Sequence, residues 1–332
     1  LINLYYGELR QKSNYNQSLN AENKSICTFV KRHFLKSYNQ KIPLEAADYS
    51  LYIKREDLLH PHVSGNKFRK LYYNLQKAKE DNFTTLLTFG GAFSNHIVAV
   101  AAAGKEHGMK TIGIIRGEEL REKISSNPTL NKAREFGMVF DFVSREDYRD
   151  KNEEAFVQKL KEHFGDFYLL PEGGTNGLAV KGCEEILEET DTDFDFICCA
   201  VGTGGTISGI INSSKVGQQI LGFPALKGGF LSEDICKFVT QSNWELVTDY
   251  DFGGYAKVTE ELIAFINDFY QKFQVPLDPI YTGKMAFGVL DLIKKKKFPK
   301  GSKILMIHTG GLQGIAGMNA LLKQKNQIEI ML

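Results

Sequence analysis

The sequence predicts an α/β protein with open, twisted, mostly parallel sheet, arranged as two domains or one large unit. Three observations carry that reading. Short apolar runs alternate with amphipathic stretches from Leu51 onward, several of those runs end in glycine, and 332 residues exceed one compact core. Strands that alternate with helices of this length join by right-handed crossovers and are covered on both faces.

The strands expected, in order, are residues 51–54, 85–89, 111–116, 139–143, 167–170, 194–201, 219–223, 244–247 and 304–308. Helical patterns lie between them. In 68–79, Phe68, Leu71, Tyr72 and Leu75 share one face, and 258–273 repeats the pattern with Leu262, Ile263, Phe265, Ile266 and Phe269. The periodic stretch from Met285 to Ile293 runs into Lys294 to Lys297, either a solvated helix end or an anion contact. Residues 1 to about 40 show no sustained period, and expression scar, mobile arm and frayed helix are all open readings. No internal repeat and no low-complexity linker occurs, so two domains would be interleaved in the chain.

Composition narrows the function classes. A net charge of +1 gives no bulk attraction for nucleic acid or an anionic membrane. Five cysteines (Cys27, Cys183, Cys198, Cys199 and Cys236) make no CxxC pair and no metal-ligand spacing, so neither a metal site nor a disulfide framework is expected. That usage suggests a reducing compartment, and with no membrane-length apolar run or apolar leader the expectation is a cytoplasmic protein.

The glycines point to a site. Four expected strands lead into Gly90-Gly91, Gly173-Gly174, Gly202-Thr203-Gly204-Gly205 and Gly310-Gly311. Ligands of open α/β sheets bind beyond the carboxyl ends of strands, so four such turns suggest one site assembled from distant segments.

Each segment has its own chemistry. Gly202 to Thr206 follows a strand and opens a helix, which suits either a phosphate cradle or a tight turn. It is not GxGxxG, because Ile207 stands where the third glycine belongs, and no Lys-Ser/Thr follows to make a P-loop. Lys67, in Ser64-Gly65-Asn66-Lys67, stands at a helix start where the dipole disfavours a cation. A surface lysine is one reading, and an amine whose depressed basicity helps it to become an imine is the other. Ser94-Asn95-His96 opens an alanine-rich helix, where one of the first two would be an ordinary N-cap and the rest could hold a carboxylate. His308 is read as a satisfied buried histidine ahead of a catalyst.

Taken together, Tyr52-Ile53-Lys54-Arg55-Glu56-Asp57, Ser64 to Leu71, Ser94-Asn95-His96, Gly202 to Thr206, Tyr281-Thr282-Gly283-Lys284 and His308-Thr309-Gly310-Gly311 resemble a known family. It is the 1-aminocyclopropane-1-carboxylate (ACC) deaminase and D-cysteine desulfhydrase family of fold-type II pyridoxal-phosphate (PLP) enzymes, related to tryptophan synthase β. The resemblance covers roughly residues 42 to 319. It implies two α/β domains with the active site between them: 1–69 plus 171–332 as the large PLP-binding domain, and 70–170 as a small inserted one. It implies a homodimer acting on a small amino acid. Lys67 would carry PLP as a Schiff base, with Lys70 and Thr203, Gly204, Gly205 and Thr206 on the phosphate and Asn95 on the 3′-oxygen. Ser94, Asn95 and His96 would hold the substrate carboxylate, and Tyr255 and Tyr281 would flank the β-carbon, with Ser94 also catalytic.

Two positions bear on the branch. Ring-opening members of the family carry glutamate after the active-site tyrosine and leucine after the late histidine, where this chain has Thr282 and Thr309. Thr309 would stand at the cofactor and Thr282 at the substrate, with either hydroxyl a candidate for the pyridine nitrogen. A threonine does not force that nitrogen to stay protonated, which leaves a weaker electron sink, sufficient when thiolate departs. The expected activity is therefore β-elimination from D-cysteine to pyruvate, ammonia and hydrogen sulfide. The alternatives are ACC deamination to 2-oxobutyrate, a PLP-carrying regulatory protein with little turnover, and a nucleotide-binding module that the broken glycine motif disfavours.

Overall fold

The computed structural model describes residues 37–45, 48–226 and 229–331. Cys27 and the other expectations for residues 1–36 lie outside them. The described strands are β1 (Asn39–Ile42), β2 (Ser50–Lys54), β3 (Thr85–Gly90), β4 (Lys110–Arg116), β5 (Val139–Val143), β6 (Tyr168–Leu170), β7 (Phe196–Val201), β8 (Gln219–Pro224), β9 (Trp244–Leu246) and β10 (Lys303–Ile307). The helices are α1 (Asn66–Glu80), α2 (Asn95–Glu106), α3 (Pro128–Glu135), α4 (Glu154–Phe164), α5 (Gly177–Glu184), α6 (Gly205–Ser213), α7 (Phe230–Cys236), α8 (Glu260–Phe273), α9 (Thr282–Lys294) and α10 (Gly314–Gln324).

Two sheets result. One is ordered β1-β2-β10-β7-β8-β9, and the other β5-β4-β3-β6. Every neighbouring pair is parallel except β1 with β2. The chain starts in the first sheet, builds the second from Thr85 to Leu170, and returns.

Both sheets are covered on both faces, which is why their strands read as unbroken apolar runs. In β7, Cys198 and Ala200 enter the core under α8 and α9, with Leu262, Ile266, Phe269, Met285 and Val289. Their neighbours Ile197, Cys199 and Val201 face Ile207, Ile210 and Ile211 of α6 on the other side. The same period of two divides β3, where Leu86 packs with the alanine-rich α2 and Leu87 and Phe89 pack with Tyr148 and Leu160. Cys198 and Cys199 are fully buried, and burial pushes both thiols up, so they act as small hydrophobes.

The charged motif after β2 is scaffolding. The Lys54 amine donates to Asp191 at 2.8 Å, Arg55 closes onto Asp57 at 2.7 Å, and Arg69 of α1 donates to Glu56 at 2.8 Å. Of these, the Arg69–Glu56 pair ties α1 to the segment that follows β2. Lys294 to Lys297 are exposed and Lys295 pairs with Asp291 at 2.6 Å, so that run is a solvated helix end. No helix of the described residues is long and apolar enough to cross a membrane.

Candidate active site

The carboxyl ends of β3, β7 and β10 and the start of α1 converge on one cleft enclosing about 770 Å³, mouth included. Lys67 reaches it because of Gly65. That residue has φ 59°, and a Cβ there would stand 2.1 Å from the Thr309 carbonyl oxygen, to which the Asn66 N–H donates at 3.2 Å. Only glycine permits this crossing of the chain over the Thr309-Gly310 turn.

Lys67 and Lys70 lie one turn apart on α1 and both line the cleft. Burial, and secondly the charge of Lys70, push the Lys67 amine down to about 7. Lys70 is 2% exposed and donates to the Gly173 carbonyl at 3.1 Å and the Thr175 hydroxyl at 2.9 Å.

The β7–α6 turn forms the facing wall. Gly202, Thr203, Gly204 and Thr206 line it, with Gly204 left-handed at φ 81°. Thr203 meets Thr175 hydroxyl to hydroxyl at 2.6 Å, and Thr206 accepts from the Asn66 side chain at 2.8 Å. Gly205 does not line the cleft, contrary to the expected contact. A Cβ on it would lie 2.8 Å from Thr175 and 3.2 Å from the Lys70 amine, so its role is to let those groups close in.

On the third wall, Ser94 is the N-cap of α2 and accepts from the Ile97 N–H at 3.4 Å. His96 is 2% exposed, with Nε2 2.9 Å from the Thr88 hydroxyl. Burial first, and then the charges of Lys67 and Lys70, hold the imidazole well below its ordinary range, so it is neutral. Asn95 Oδ1 is buried without a partner, an arrangement that calls for a ligand able to donate to it.

Tyr255 and Tyr281 close the cleft edge-to-face, ring centroids 6.3 Å apart. Burial raises both phenols above their ordinary range, so both stay protonated at neutral pH. The two threonines part company. Thr309, 8% exposed, lines the cleft. Thr282 is fully buried behind the wall, and its hydroxyl donates to Asp278 Oδ1 at 2.7 Å, so the expected substrate contact is corrected. His308 is satisfied, with Nε2 2.6 Å from the Pro276 carbonyl and Nδ1 accepting from the Gly310 N–H at 3.2 Å.

Sequence reasoning missed Asp278, Thr175 and Gln313. Asp278 had a signal, an Asp-Pro dipeptide just before a helix start. The others had none beyond proximity to glycine turns.

The cleft joins a primary amine of low basicity, a glycine turn at a helix start with a buried ammonium beside it, and an orphaned acceptor. That set fits an aldehyde-bearing aromatic phosphate: Lys67 for the aldehyde, the 202–206 turn with Lys70 for the phosphate, and Asn95 for a ring substituent. Comparison with known proteins agrees. Residues 37–310 match the pyridoxal-phosphate dependent enzyme family, the chain belongs to it, and PLP is its cofactor. Among its relatives is the Arabidopsis thaliana bifunctional D-cysteine desulfhydrase/1-aminocyclopropane-1-carboxylate deaminase, mitochondrial, 32% identical, covering 80% of this chain and 73% of that protein. Another is the 1-aminocyclopropane-1-carboxylate deaminase of Bradyrhizobium sp. (strain ORS 278), 30% identical, covering 80% of this chain and 88% of that one. A solved ACC deaminase homologue superposes with TM-score 0.74 at 28% identity, covering 86% of this chain and 94% of that chain.

Proposed function

We propose that this enzyme catalyses β-elimination from D-cysteine, consuming one water and releasing pyruvate, ammonia and hydrogen sulfide. One observation carries the choice: no carboxylate side chain lines the cleft among the described residues, and the late turn presents Thr309. A pyridine nitrogen facing a hydroxyl is protonated less fully than one facing a carboxylate. The weaker sink suits loss of a good leaving group, thiolate, over cleavage of a carbon–carbon bond.

Bound PLP supplies the electron sink for charge developing at the substrate's α-carbon. The chain supplies the rest. The Lys67 amine, buried and beside Lys70, is the base that takes the α-proton at Nζ. Free N–H groups at the start of α2 orient the substrate carboxylate beside Ser94, Asn95 and His96. Tyr255 and Tyr281 keep their protons and donate toward the departing sulfur. Lys70 and the 202–206 turn hold the phosphate.

Side-by-side turnover of D-cysteine, D-serine and ACC tests this. Sulfide and pyruvate from D-cysteine, with little 2-oxobutyrate from ACC, is the expected result. A preference for ACC, an activity for which both relatives are named, overturns the assignment to D-cysteine.

A further inference from the structure

We infer that Lys284 is a positioning residue that holds Tyr255 over the cleft. Lys284 sits in the first turn of α9, three residues after Tyr281, and is 2% exposed. Its amine donates to two backbone carbonyls of one loop, Asp251 at 2.7 Å and Gly254 at 2.8 Å. Tyr255 follows directly.

The loop takes a backbone shape that most residues disfavour. Phe252 and Ala256 are non-glycine residues in the left-handed region, at φ 52° and 56°, and Gly253 and Gly254 lie at 94° and 107°. Such backbone is disfavoured for residues with a Cβ and persists where surrounding structure holds it. Within the loop, the Gly253 N–H donates to the Asp251 carboxylate at 2.7 Å, the Gly254 N–H to the Asp251 carbonyl at 3.0 Å and the Lys257 N–H to the Gly254 carbonyl at 3.2 Å. Among the described residues, ties from it to α9 include the Tyr255–Tyr281 ring contact at 6.3 Å and two more. One is apolar, Phe252 edge-on to Phe287 at 5.0 Å, and the other is the Lys284 amine.

A buried amine is a costly way to fill space, since methionine would occupy similar volume without desolvation. Burial pushes Lys284 down to about 8, against the pull of Asp251 and Asp278. The return on that cost is geometric. Tyr281 begins α9, anchored by the Asp278 carboxylate, and Lys284 in the same turn anchors the loop bearing Tyr255. One turn of helix thus sets the spacing of the two phenols. Lys284 itself does not line the cleft.

The consequence for catalysis rests on the role proposed for Tyr255, and the positional claim does not. In the holoenzyme, Lys284→Met should speed amide exchange across residues 251–257 by about tenfold or more while PLP absorbance stays parental. Turnover should fall about tenfold in kcat with little change in KM, and adding Tyr255→Phe should cost little further, because both changes act through one phenol. Parental exchange in the loop overturns the inference whatever happens to turnover, and fully additive losses overturn the claim that Lys284 acts through Tyr255. If the chain turns over none of the tested substrates, the function proposed above fails while exchange still decides the position of the loop. Should Lys284→Met not fold, Lys284→Gln keeps an N–H donor, and its loop exchange should fall between; parental exchange there is equally fatal.

Discussion

The Thr282 hydroxyl lies 2.7 Å from Asp278 Oδ1, and the Thr282 N–H reaches the same oxygen at 2.8 Å. Asp278 Oδ2 accepts from the N–H groups of Ile280 and Tyr281, both at 2.9 Å, so one buried carboxylate gathers four donors at the start of α9. This turns Thr282 inward and leaves Tyr281 on the cleft. The Thr282 hydroxyl also accepts from the Asp278 N–H at 2.9 Å, so Thr282→Val should destabilise the fold by about 2–4 kcal/mol, the cost of two lost buried hydrogen bonds, with turnover per folded molecule near parental. Thr282→Glu would press a second carboxylate on Asp278 and should cost roughly 3 kcal/mol or more. Urea unfolding with matched kinetics checks both.

Adjacency in sequence hid this. A helix rotates about 100° per residue, so the neighbour of a cleft-lining tyrosine faces elsewhere, and only the Asp278 cap says where. The core strands were legible because sheets buried on both faces need apolar runs, and the expected 85–89 and 219–223 fall within a residue of β3 and β8. Strand β1 was not expected. Asn39-Gln40-Lys41-Ile42 is an antiparallel edge with one buried side chain, and such an edge carries no apolar run. Gly202 to Thr206 and Lys67 were legible through turn chemistry. The burial of Lys284 was not, because a buried lysine and an exposed one look alike until the carbonyls it meets are known.

Lys67 gives a prediction in pH. Its amine pKa is lowered, so the neutral form is present from about 7 upward. At pH 7 an ordinary lysine is neutral only about once in three thousand molecules, against about half for this one. The rate at which the apo chain captures PLP should rise with pH to about 7 and then level. Lys70→Ala removes the like charge, so the inflection should move to higher pH. Borohydride should fix pyridoxyl on Lys67, and Lys67→Ala should lose visible cofactor absorbance and nearly all turnover. An inflection above 9 in the unmodified chain would contradict the low basicity.

Gly204 tests the phosphate wall. A side chain there must adopt φ 81°, and its Cβ would stand 3.2 Å from Ile235. Valine is the worst residue for that backbone, because branching at Cβ adds to the left-handed strain. Gly204→Val should weaken PLP retention by more than about tenfold, roughly 1.4 kcal/mol, measured by dialysis against graded free PLP. Retention at the parental level would make the turn a structural bend only.

The last prediction concerns Thr309, the threonine that does reach the cleft. If the absence of an acid there sets the leaving group the enzyme can expel, adding one should widen the choice. Thr309→Asp would favour a protonated pyridine nitrogen, and each pKa unit gained stabilises the protonated form by about 1.4 kcal/mol. A transition state that feels the whole effect speeds roughly tenfold per unit. Carbon–carbon cleavage depends on that stabilisation more than thiolate loss does, so the ratio of ACC to D-cysteine turnover should rise. The Thr309 carbonyl, which receives the Asn66 N–H, belongs to the backbone and is kept in the variant. Thr309→Val, with no acid, should leave the ratio near parental. A ratio that moves equally in both variants would mean that wall shape, and not protonation, selects the substrate.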